Sequence, residues 1–197
     1  MRNKNLKIFN DYLQYLLRKE MLVLRKEIEK EHYDWKIIRN AIYNDCRFFE
    51  TDKEFEFNAY LNTLEADKQK QLNKIVYDVL NKAFAHKMKS FPSKFKKKLS
   101  GIFSDITPKQ FFNLNYFDAH EHRCCLCGRL LDHDAKELPV AEIEHLFPQS
   151  KFPQLILCIS NYIPCCSNCN KIKKSSFFSC KKESVSYTHL RAHETCA

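Results

Sequence analysis

Two cysteine pairs stand out by their spacing: Cys124-x-x-Cys127 within CCLCG and Cys166-x-x-Cys169 within CCSNC. Two intervening residues let both thiolates of a pair reach one ion at about 2.3 Å, and two such knuckles complete a tetrahedral four-cysteine site for structural Zn2+. Cys125 and Cys165 are each one place off that spacing and are expected as neighbours. Cys46, Cys158 and Cys180 are expected as small buried hydrophobes. The knuckles lie further apart than the ~15–20 residues of a simple zinc ribbon, so a segment is inserted between them. That insert contains VAEIEHLFPQSKFPQL and SNYIP, with Glu142, Glu144, His145 and Asn161, and Asn170 directly follows the last cysteine. A carboxylate, an imidazole and a carboxamide held together suit phosphodiester hydrolysis, which needs a divalent cation to neutralise the phosphate and a base to activate water.

Regular elements must bring these groups together. Val140 to His145 can form a short strand ending in Glu-His, with Glu142 and Glu144 on one face. A second strand or loop is expected before Asn161, and a helix from about Ser167 would carry Asn170 back toward the strand. Asn161 and Asn170 also fit turn and cap residues, and a lone histidine is commonly structural.

The first knuckle, EHLFP, NYIP and CSNCNKIK, in this order, resemble the HNH endonucleases of the ββα-metal type. The resemblance covers roughly residues 123 to 175. It implies that His145 is the general base and that Glu144, in place of the usual aspartate, binds a catalytic Mg2+ or Mn2+. Asn170 would be the second ligand of that metal, and Asn161 would brace the loop that orients His145. Glu142 is a candidate supplementary ligand. This matters because glutamate displaces its carboxylate by roughly one carbon–carbon bond length relative to aspartate. Lys173 matches a trailing lysine suited to a phosphate contact, and Lys171 and Lys174 extend that basic run toward nucleic acid. The implied function is a metal-dependent endonuclease acting on DNA, double-stranded in the simplest case, in bacterial defence or restriction. The alternative is a zinc-stapled nucleic-acid-binding module without catalysis. A protein partner such as an ATPase is compatible with either.

The composition agrees with a folded chain that positions such a module. The 197 residues are 44% hydrophobic, enough to bury a core. Two glycines against 16 phenylalanines favour long regular elements over a many-stranded sandwich. The expected class is α+β: a mostly helical N-terminal region followed by a small zinc-stapled ββα module. No stretch approaches the ~20 apolar residues of a membrane span, and MRNKNLKIFNDY lacks the apolar core of a signal peptide. A cytoplasmic location with no membrane association is expected. In that reducing setting, ten cysteines that include paired C-x-x-C point to metal rather than disulfides. A net charge of +9 favours a polyanionic partner.

Residues 1–118 carry a helical period and form the expected helical region; 119–183 form the expected nuclease module. Leu6, Phe9, Leu13, Leu16, Leu17 and Leu24 recur at three- and four-residue steps. A second helix is expected to carry Trp35, Ile38, Ile42, Cys46 and Phe49. A third is expected to open at TDKE, where Thr51 and Glu54 have capping-box spacing. A fourth should carry Leu72, Ile75, Val76, Val79, Leu80 and Ala83. Thr107-Pro108 has the form of an N-cap followed by proline at the first helical position. The lysine run around 94–98 is expected as a solvated segment between helices, and His120, His122 and His133 as surface residues. Finally, SVSYTHLRAHET at 184–195 resembles a translated sequencing adapter. On that expectation 184–197 is not native protein, His189, His193 and Cys196 are not ligands, and the gene is truncated near Glu183.

Overall fold

A computed structural model describes residues 2–99, 106–117, 122–135 and 139–173. Lys174 and the adapter-like stretch at 184–197 lie outside the described residues. The elements in chain order are α1 (Arg2–Lys30), α2 (Trp35–Arg47), α3 (Glu56–Asn62), α4 (Ala66–Lys87), α5 (Ser93–Lys98), α6 (Pro108–Phe117), β1 (Glu142–His145), β2 (Tyr162–Cys165) and α7 (Ser167–Lys173). Two short 3-10 turns, Pro153–Leu155 and Ile159–Asn161, lie between the strands. The fold is therefore mainly helical with a two-stranded antiparallel sheet, an α+β arrangement. Among the described residues no helix is long and apolar enough to cross a membrane.

The chain forms two compact units that alternate along the sequence. Among the described residues, one draws on those within 2–10, 88–146 and 162–173, and the other on those within 11–87 and 147–161.

In the second unit the part of α1 from Asp11 onward, free of proline and glycine, buries Leu13, Leu16, Leu17, Leu24 and Ile28 along one stripe. Ile38 and Ile42 of α2 and Leu72, Val76 and Leu80 of α4 are likewise buried. Each such side chain contributes about 1.5–3 kcal/mol relative to exposure. Helix α2 starts where Asp34 accepts the N–H groups of Lys36 and Ile37 at 2.9 and 3.1 Å, and it ends at Arg47, so Phe49 falls beyond it. The expected helix start at TDKE is not observed. Thr51 and Asp52 form a turn, and α3 begins at Glu56. The reason is a long-range cap: the Asp45 carboxylate accepts the N–H groups of Glu56 and Phe57 at 2.7 and 3.1 Å. This satisfies helix donors that a local Thr-Glu box would otherwise serve.

In the first unit the expected N-terminus at Thr107-Pro108 is present. The Thr107 hydroxyl accepts the N–H of Gln110 at 3.1 Å, while the Gln110 side chain accepts the Thr107 N–H at 3.0 Å, a reciprocal box opening α6. The lysine run forms a short helix, α5, because Phe95 and Leu99 bury beneath it while the lysines stay exposed. The strand expected from Val140 is observed as β1. The span before Asn161 is loop with 3-10 turns, and β2 starts only after it. The strand register pairs Glu142 with Cys165, Ile143 with Pro164, Glu144 with Ile163 and His145 with Tyr162. Helices α6 and α7 both pack against β1, and the Asn113 amide ties α6 to the strand by donating to the Ala141 carbonyl at 2.9 Å.

Candidate functional site

The two knuckles converge. The sulfur atoms of Cys124, Cys127, Cys166 and Cys169 all lie within 4.8 Å of one another, with Cys127 and Cys166 at 4.0 Å. A tetrahedral ion with ~2.3 Å zinc–sulfur bonds requires sulfurs about 3.8 Å apart, so four thiolates at this spacing fit zinc. The first knuckle is a tight turn in which Gly128 donates to the Cys124 carbonyl at 2.9 Å. Gly128 has φ +70°, and a Cβ there would meet nothing within 4 Å, so glycine serves the backbone conformation and not a close approach. The second knuckle is the start of α7, where the Cys166 N–H reaches the Cys124 sulfur at 3.2 Å and the Cys169 N–H reaches the Cys166 sulfur at 3.4 Å.

These contacts divide the thiols electrically. Burial opposes ionisation of Cys166, but the Cys169 N–H and the thiols of Cys169, Cys124 and Cys127 outweigh it and bring the group down to about 7. Burial raises Cys124 and, with the Cys127 thiol, Cys169. One thiolate therefore forms readily, and a metal ion bound there would have to displace the remaining protons. Cys125 and Cys165 stand outside the cluster as expected. Cys165 is fully buried opposite Glu142, and burial, with the charges of Cys124 and Glu144 behind it, pushes its thiol up to about 12. Cys158 is buried as expected. Cys46 is partly buried, its thiol donating to the Gln154 carbonyl at 3.3 Å.

The strand end carries the other candidates. Strand alternation puts Glu142 and Glu144 on the half-buried face and Ile143 and His145 on the buried one. His145 is 3% exposed, and its ring lies 5.0 Å from that of Tyr162 at an interplanar angle of 76°. Glu142 is engaged by Lys109 of α6, the ammonium donating to the carboxylate at 2.6 Å. Asn170 sits half-buried on α7, immediately after Cys169 of the four-cysteine cluster, on a helix that packs against β1. Lys171 is exposed on the same helix; the side chain of Lys173 is not among those described.

Asn161 is fully buried in the second unit. Its carboxamide accepts the Phe147 N–H at 2.7 Å and donates to the carbonyls of Phe147 and Leu155 at 3.3 and 3.2 Å. All of its polar capacity thus goes to closing the loop that follows EHL and precedes β2. Among the described residues, the four cysteines are the one convergence of three or more Cys, His, Asp or Glu ligand atoms.

Three features were not foreseen: Lys109 on Glu142, Tyr162 against His145, and a contact between His122 and His133. Tyr162 lies inside the NYIP motif, where its place beside Asn161 was the available signal. Nothing in local spacing announces a pairing between α6 and β1.

The fold and site define a mainly helical α+β protein with a four-cysteine cluster whose geometry is compatible with zinc binding. Over 82 residues, 42% of its length, the chain is 29% identical to the Septu protein PtuB of Bacillus thuringiensis. The match spans 30% of that protein, so the chain corresponds to less than a third of the relative's length. No protein-family model matches the chain, and no solved structure matches it.

Proposed function

We propose that the chain carries an HNH-type endonuclease module that hydrolyses phosphodiester bonds in DNA, in a bacterial defence setting. The observation that carries this reading is the Glu144-His145 strand end, paired with Tyr162-Ile163 and packed against the clipped helix that bears Asn170. The distant similarity to a bacterial Septu protein supports the setting. Glu144 contributes an anionic oxygen and Asn170 a neutral carbonyl oxygen, hard ligands that suit Mg2+ or Mn2+ rather than zinc. The bound ion would neutralise charge on the phosphate. His145 would take the proton of the attacking water at its ring, held in orientation by Tyr162. Asn161 would keep the connecting loop closed. Lys171, with Lys173 and Lys174, would meet backbone phosphates. Glu142, already paired with Lys109, is a supporting residue rather than a principal ligand.

The second reading, a zinc-stapled nucleic-acid-binding module without catalysis, draws on one observation. His145 is 3% exposed and faces away from Glu144. Supercoiled plasmid incubated with the protein and Mg2+ or Mn2+ separates the two. The endonuclease nicks the plasmid and His145→Ala does not; equal nicking by the variant, or binding with no nicking by the wild type, selects the binding module.

A further inference from the structure

His122 and His133 flank the first knuckle, and their rings meet. His122 Nδ1 lies 2.7 Å from His133 Nε2, with ring centroids 4.9 Å apart and planes at 50°. The backbone fixes both. The Leu131 N–H donates to the His122 carbonyl at 2.8 Å, Arg123 bridges to Leu130, and His133 bridges to Pro139. His122 also has φ +49°, in the left-handed region that side chains other than glycine adopt infrequently. The local fold thus accepts an uncommon backbone conformation where it aims this imidazole at its partner.

We infer that His122 and His133 form a second metal site, distinct from the four-cysteine clip, for a borderline divalent cation of the Zn2+ or Ni2+ kind. Imidazole nitrogens bind such ions at about 2.0–2.1 Å. Two of them on one ion stand about 2.9–3.4 Å apart for bond angles between square and tetrahedral, so separation by a few tenths of an ångström opens the pair to the metal. Hard Mg2+ prefers oxygen ligands and is not expected there. The two imidazoles leave at least two coordination positions of a four-coordinate ion for water or another small donor. The site is independent of the nuclease reading.

The test is calorimetric titration of the full chain, already carrying its tight cysteine-bound zinc, first with Zn2+ and then separately with Mg2+. Total zinc is expected to rise from about one to about two per chain, with the second equivalent the weaker and no Mg2+ counterpart. His133→Ala should lose the second equivalent and keep the first, whose retention also reports that the knuckle is folded. Should that variant lose both, His133→Gln keeps a hydrogen-bonding side chain without an imidazole and is expected to retain only the tight equivalent. Uptake of a single equivalent by the wild type, or a second one that persists in the folded histidine variant, overturns the inference.

Discussion

Tyr162 stands edge-on to His145 from the directly opposed position of the neighbouring strand, and both side chains are buried. The tyrosine thus restrains the imidazole from a residue position that the strand register fixes. If His145 is the base, Tyr162→Leu should lower plasmid nicking about tenfold, the equivalent of ~1.4 kcal/mol in barrier, while the affinity for DNA is unchanged. A gel-based nicking rate beside a binding titration reads both, and an unaltered rate would show that the ring contact only packs.

The two strand carboxylates should differ in consequence. Glu142 already meets Lys109 at 2.6 Å, and both side chains are more than a third exposed. An exposed pair of this kind is worth about 0–1 kcal/mol, so Glu142→Gln is expected to change stability and nicking little. Glu144→Gln is expected to abolish Mg2+-dependent nicking. Comparable losses in both variants would place Glu142 among the metal ligands.

Asn161→Ala leaves the Phe147 N–H and two carbonyls without their buried partner. An unsatisfied buried polar group costs about 1–3 kcal/mol, so a loss of roughly 3 kcal/mol is expected, read as a lower urea midpoint. A midpoint within error of wild type would mean that the loop does not depend on this clasp.

Asp45 predicts a pH dependence. Burial raises its carboxyl from 3.8 to about 6, against the opposing pull of hydrogen bonds from Phe57, Glu56 and Gln154. Because the folded value lies above the unfolded one, the folded chain binds the proton more tightly. The resulting stabilisation is complete below the unfolded value and is lost as pH rises through about 6. Relative to Asp45→Asn, the wild type should lose about 2–3 kcal/mol between pH 4 and pH 7. Parallel stability profiles for the two proteins would sink this account.

Zinc removal should reach beyond the knuckles. Metal analysis is expected to find about one tightly held zinc per chain. Cys166→Ser should lower that occupancy and the melting temperature together, and a chelator should do the same to the wild type. A chain that carries no zinc and melts unchanged in chelator would remove the clip from the account.

The sequence conveyed local order well and long-range pairing poorly. The leucine stripe of α1, the Thr107-Pro108 start and the strand ending at His145 all depend on neighbours within a few residues, so their pattern is visible in one dimension. The start of α3 was misplaced because its cap comes from Asp45, eleven and twelve residues back along the chain. The lysines of the run at 94–98 are exposed as expected, but its helix was missed because Phe95 and Leu99 bury beneath four lysines whose charge dominates the composition. At the site, C-x-x-C spacing foretold the four-sulfur convergence, since each knuckle is a local turn. The faces on which Glu144 and His145 project depend on strand alternation, and their partners Lys109 and Tyr162 depend on tertiary placement.

The four thiols join residues near 124 to residues near 169, with both strands and the whole connecting loop in between. An ion held there closes a long covalent ring through metal bonds, which reduces the conformational freedom of the unfolded chain as a disulfide would. Unlike a disulfide, this cross-link is made and broken by metal supply rather than by an oxidant. Firmness of the paired strands would then follow the availability of zinc.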